Sequence, residues 1–128
     1  MKRILIILTI FLLTTCNKPL QVRNPNDVVP WISQNITYEN SVIDPIVYSQ
    51  KPRAVLRRKT ANCVGYVSLA MFLLKQLNEE SFFIILDQTH AVLYWRNNFY
   101  EVEKNVIILN PHNITDILTL KQVLRRFY

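Results

Sequence analysis

Glycine is almost missing from this chain: one residue in 128, alongside two cysteines, two histidines and two methionines. A single glycine excludes a glycine-rich phosphate loop, and with it the nucleotide-dependent chemistry such loops support. Two histidines and two cysteines without a short-spaced pair argue against structural zinc, and no metal or other cofactor is expected. Acidic residues are outnumbered nine to fifteen, for a formal charge of +6. The basic excess is scattered apart from Arg57-Arg58-Lys59 and Arg125-Arg126, with no interleaved aromatics, so nucleic acid is not an expected partner. No segment recurs at a period of 20 to 50 residues, which excludes repeat arrays. What the chain does have is apolar content, at 50% against 19% charged, enough to exclude disorder and to fill one small core.

The N-terminus stands apart. Met1-Lys2-Arg3 leads into an apolar run over residues 4–13, a basic n-region followed by an h-region too short to span a bilayer. Leu13-Thr14-Thr15-Cys16 then resembles the lipobox of bacterial lipoproteins, in which cleavage before the cysteine frees an amine while its thiol takes a diacylglycerol. That resemblance implies a signal peptide over residues 1–15, lipid on Cys16, and a cell-envelope location facing the periplasm or exterior. Asn17, where an Asp often retains lipoproteins at the inner membrane, points to the outer membrane. Loss of Lys2 and Arg3 leaves a charge of about +4, which suits a surface near anionic lipid or glycan. Residues 16–27, with Pro19 and Pro25, read as a polar tether, and the domain is expected over residues 28–128.

Within the domain, Val29, Trp31, Ile32 and Ile36 fit a short amphipathic helix ending near Asn35. Residues 38–49, with Asp44-Pro45, read as an irregular connection. Pro52 opens a second short helix whose basic C-terminus, Arg57-Arg58-Lys59, suits the macrodipole. Cys63, Val67, Ala70, Leu74 and Leu77 recur at spacings of three and four behind Asn62, a good N-cap, and predict a core helix. Strands are then expected over residues 81–86, 89–95, 99–103 and 106–109, with a hairpin signal at Arg96-Asn97-Asn98, and a last helix over residues 120–127 behind Thr119. Helices followed by an antiparallel meander make an α+β domain with its Cys-bearing helix laid on a small sheet.

Three residues stand in the order a thiol nucleophile requires. Cys63 opens the core helix, where unsatisfied N–H groups and the dipole favour a thiolate and are expected to lower its pKa. As the only other cysteine in an exported chain whose Cys16 carries lipid, it is either inert in the core or reactive for a reason. His90 opens a strand and can accept the thiol proton, and an acid on the next strand would fix its tautomer. With a turn at Asn97-Asn98, Trp95 faces Tyr100 and Val92 faces Glu103, so Glu103 lies diagonal to His90 on the same face, with Glu101 on that face as the fallback. His112, in Asn110-Pro111-His112-Asn113, reads as a loop residue.

Residues 31–103 resemble the transglutaminase-like cysteine enzymes of the wider papain-like group. The resemblance is carried by Trp31-Ile32 and Tyr38, by residues 52–56 ahead of Thr60-Ala61-Asn62-Cys63, by Val64-Gly65-Tyr66-Val67-Ser68, by His90-Ala91-Val92, and by Phe99-Tyr100-Glu101-Val102-Glu103. Ala61 stands where the family usually has Gly, and Asn62 and Glu103 where it usually has Asp. The resemblance implies a papain-like fold with Cys63 as nucleophile, His90 as general base and acid, and Glu103 as the orienting acid. The activity implied is acyl transfer on a peptide or carboxamide, ending in hydrolysis or transamidation. The Cys63 N–H and a second donor among Gln50, Thr60 and Asn62 would hold the oxyanion. A different reading makes the chain a non-catalytic envelope lipoprotein that binds a protein partner through a degenerate form of the same fold.

Overall fold

The computed structural model describes residues 22–39 and 50–127. The expected signal peptide, Cys16, residues 17–21 of the tether and residues 40–49 of the expected connection lie outside the described residues. Val22 already belongs to the core, and Pro25–Asp27 forms a 3₁₀ turn capped by Asn24, so ordered packing precedes residue 28, where the domain is expected to begin.

Among the described residues four helices and two sheets follow in order: α1 (Val28–Asn35), β1 (Thr37–Tyr38), α2 (Pro52–Arg58), β2 (Thr60–Ala61), α3 (Cys63–Gln76), β3 (Phe82–Leu86), β4 (His90–Trp95), β5 (Asn98–Glu101), β6 (Val106–Ile108), β7 (Ile114–Leu118) and α4 (Leu120–Phe127). A second 3₁₀ turn, Val102–Lys104, separates β5 from β6. The large sheet has the order β6-β5-β4-β3-β7 with antiparallel neighbours throughout, while β1 and β2 form a two-residue parallel pair. This is the α+β arrangement expected, with α3 lying on one face of the sheet.

Helix α3 is the central element. Its side chains from Gly65 to Met71, with Leu73 and Leu74, are buried against α1, α2 and the sheet residues Phe83, Ile85, Ala91, Leu93 and Trp95. Such burial on nearly every side explains why its apolar residues exceed what a single stripe would need. Ser68, its one fully buried polar side chain, satisfies its hydroxyl by donating to Val64 C=O at 2.7 Å.

Two differences from expectation have physical causes. The hairpin turn is Arg96-Asn97, not Asn97-Asn98; both residues have positive φ, 47° and 64°, as a tight turn matched to strand twist requires. Arg96 tolerates that conformation because its side chain is tied down, by Glu79 and by Asn26 Oδ1 at 3.0 Å. The register therefore pairs Leu93 with Tyr100 and Trp95 with Asn98, two residues away from the expected one. A two-residue offset preserves the faces but moves each acid along the strand. The second difference is β7, which the sequence pattern did not suggest: it is an edge strand with largely exposed side chains and an Asp at its centre.

Candidate active site

The first turn of α3 is built around a cap and a close approach. Asn62 accepts Gly65 N–H through its side chain at 3.2 Å, while its own N–H donates to Gln50 Oε1 at 3.1 Å. A Cβ on Gly65 would lie 2.3 Å from Gln50 Oε1 and 2.7 Å from Ala61 Cβ. The chain's single glycine thus lets Gln50 and β2 close onto the helix start, one turn from the thiol. Of the three candidates for a second oxyanion donor, Asn62 Oδ1 accepts in the cap, Thr60 Oγ1 accepts from Arg58 Nε at 2.9 Å and Gln50 Oε1 accepts from Asn62 N–H, bonds that engage oxygens as acceptors and do not choose among the three as donors. Gln50 is the one whose amide is wedged against the first turn.

Cys63 opens α3 half-buried, and burial pushes its thiol above the ordinary range. Hydrogen bonding from the backbone of Ala91, Val64 and Cys63 itself pulls the other way, and the charge of Glu103 adds to the rise. The net direction reverses the expectation of a lowered thiol: the helix terminus supplies its donors, but desolvation and a nearby carboxylate outweigh them. The Ala91 contact also fixes the thiol's place, against the residue that follows His90.

His90 is the first residue of β4, brought there by the turn Asp87-Gln88-Thr89, in which Asp87 and Gln88 both take positive φ, 52° and 63°. Its Nε2 lies 3.1 Å from Glu101 Oε1. Among the described residues Glu101, not Glu103, makes this hydrogen bond, because the corrected register carries Glu101 to the place diagonal to His90. The other Glu101 oxygen lies 3.5 Å from Lys104 Nζ.

Glu103 leaves the strand. It lies in the turn Val102–Lys104, closed by Asn105 at φ 52° and fastened to α1 by Ser33 Oγ donating to Glu103 C=O at 3.2 Å. This aims its carboxylate into the site. Donor atoms of His90, Glu101 and Glu103 all lie within 4.8 Å of one another, yet Glu103 Oε2 is buried without a hydrogen-bond partner among the described residues. Its charge reaches Cys63, Tyr38 and Tyr66; Tyr66, pushed up to about 12 chiefly by burial, donates its hydroxyl to Ile36 C=O at 2.6 Å. Tyr38 packs against it with ring centroids 5.9 Å apart. The structure thus gathers Cys63, His90, Glu101 and Glu103 around one end of β4, with Glu103 acting electrostatically on the thiol and adjacent to the imidazole. The turn at Glu103 had a sequence signal, the Lys104-Asn105 pair, since Asn readily takes the left-handed conformation that closes it.

His112 lies exposed in the loop between β6 and β7, apart from this group. No helix among the described residues is long and apolar enough to cross a membrane. Comparison with curated proteins and with solved structures gave no match. A family model described as a transglutaminase-like domain matches residues 14–94, a span that takes in the whole of α3 and the start of β4. With well over half its length so matched, and with a Cys-bearing helix on an antiparallel sheet, the chain belongs to the transglutaminase-like domain family.

Proposed function

We propose that this chain is a lipid-anchored envelope thiol enzyme, a peptidase, amidase or transamidase in which Cys63, His90 and Glu101 carry out acyl transfer. The observation that carries the reading is the His90–Glu101 hydrogen bond, one residue from the Ala91 backbone that meets the Cys63 sulfur. Glu101 accepts a hydrogen bond from Nε2–H, which leaves the Nδ1 lone pair to take the thiol proton as sulfur attacks the carbonyl carbon. The Cys63 N–H and the Gln50 amide receive the oxyanion, and the imidazolium then protonates the leaving amine. Water or a second amine releases the acyl group. Glu103 acts on the nucleophile: its charge adds to the burial that raises the Cys63 thiol. Removal of residues 1–15 and a diacylglycerol on the Cys16 thiol hold the domain at the envelope membrane, where peptides and cell-wall peptides are the substrates within reach.

The test is acylation of Cys63 by an activated ester, followed by mass spectrometry on the full chain in detergent. A covalent adduct on Cys63 that forms in the wild type and is lost in His90→Ala supports the enzyme. Equal acylation in both would favour a second reading, a non-catalytic lipoprotein using this fold to bind a protein, which the upward shift of the Cys63 thiol also favours.

A further inference from the structure

We propose that His90, Glu101 and Glu103 form a binding site for one zinc-type divalent cation, and that the bound ion fixes His90 in the tautomer that cannot accept the Cys63 proton. The site itself rests on geometry alone; its meaning as an off-switch rests on the thiol-enzyme reading above.

The donor atoms of the three side chains lie within 4.8 Å of one another, and His90 Nε2 is 3.1 Å from Glu101 Oε1. Ligands about 2.0 Å from a tetrahedral zinc sit roughly 3.3 Å apart, so one edge of the polyhedron is already formed and the third ligand needs only a small side-chain adjustment. Independently, Glu103 Oε2 is buried with no hydrogen-bond partner among the described residues. A buried carboxylate oxygen in that state is destabilising unless a donor or a cation meets it. Lys104, the cation beside the cluster, contacts Glu101 and is itself mostly exposed. Two carboxylates match the charge of a divalent ion. An imidazole nitrogen with only two carboxylates favours zinc over calcium or magnesium, which seek six or more oxygens. Three protein ligands leave a fourth position for water.

The consequence is a tautomer switch. Without the ion, Nε2–H donates to Glu101 and Nδ1 carries a lone pair. A metal at Nε2 displaces the proton there and binds the lone pair of that same nitrogen, so the neutral ring must hold its proton on Nδ1 and has nothing left with which to deprotonate a thiol. No redox step is involved; the proton moves from one ring nitrogen to the other by exchange with solvent.

Calorimetric titration of the full chain in detergent with Zn²⁺, under reducing conditions, tests the site. The expected result is one ion per chain, weakened about tenfold or more in each of His90→Ala, Glu101→Gln and Glu103→Gln, and retained in Cys63→Ala. Absence of binding, or binding that survives in His90→Ala and Glu103→Gln, overturns the site. Nitrogen chemical shifts of the His90 ring test the switch: Zn²⁺ should convert an Nε2–H tautomer to Nδ1–H, and an unchanged tautomer at saturation overturns it. Neither readout requires acylation of Cys63, so failure of the enzyme reading would leave both measurements decisive.

Discussion

Two glutamates mark the two ends of the central helix, and they are treated in opposite ways. Glu79, just past the C-terminus of α3, accepts from Arg96 and from Trp95 Nε1 at 3.3 Å, and Arg96 in turn lies over the Trp95 ring at 4.5 Å. Arg96 holds the Glu79 carboxyl below the ordinary carboxylate range. Glu103, at the N-terminal end, keeps a buried oxygen unpartnered among the described residues and raises the thiol and phenol groups around it. The first cluster ties the hairpin to the helix and to Asn26 and is satisfied on every side shown. The second leaves electrostatic work undone beside a thiol and an imidazole. A polar group that the fold merely needs is paired; one left unpaired near a nucleophile points to chemistry.

That contrast can be broken or sharpened by substitution. The largest effect belongs at the N-terminal end: His90→Ala should lower turnover of an activated ester by about 10² to 10⁴. Glu101→Gln should follow it with a smaller loss, measured in the same assay. Next comes the close approach at Gly65. Gly65→Ala forces Gln50 and Ala61 off the helix start and should destabilise the fold by roughly 1 to 3 kcal/mol in chemical denaturation, with a separate fall in the acylation rate. Glu103→Gln should act on the thiol without harming the fold. Loss of a negative charge favours thiolate, so the pH profile of Cys63 alkylation should move to lower pH and the rate at neutral pH should rise; an upward move would contradict the assignment. Arg96→Ala, at the far end, should leave that profile where it is.

The smallest effect is expected of Glu79→Gln. A carboxyl whose folded-state pKa is lowered contributes stability that is present above its unfolded-state value and is lost as pH falls through the folded-state one. The difference in melting temperature between wild type and Glu79→Gln should therefore be modest near neutrality and vanish in acid.

How far the sequence carried depended on what kind of physics decided each feature. The Cys63 helix, its Asn62 cap and the antiparallel meander were legible because spacing and capping are local. The register was not, since Arg in a left-handed turn has no compositional signature and is allowed there by Glu79 and Asn26, distant in sequence. The acid on His90 followed from that register: parity put Glu101 and Glu103 on one face, but only the true turn chose between them. The direction of the thiol shift was beyond reach, because it is a balance between local backbone donors and the burial that the whole fold imposes.

The burial of α3 has a kinetic meaning. A helix enclosed by α1, α2 and the sheet is expected to protect its central amides from exchange until the domain opens as a whole. Cys63 rides on the first turn of that helix, so the nucleophile's position is coupled to global folding rather than to local fraying. A destabilised variant should accordingly contain fewer molecules with an intact thiol site, instead of a full population whose sites are loose.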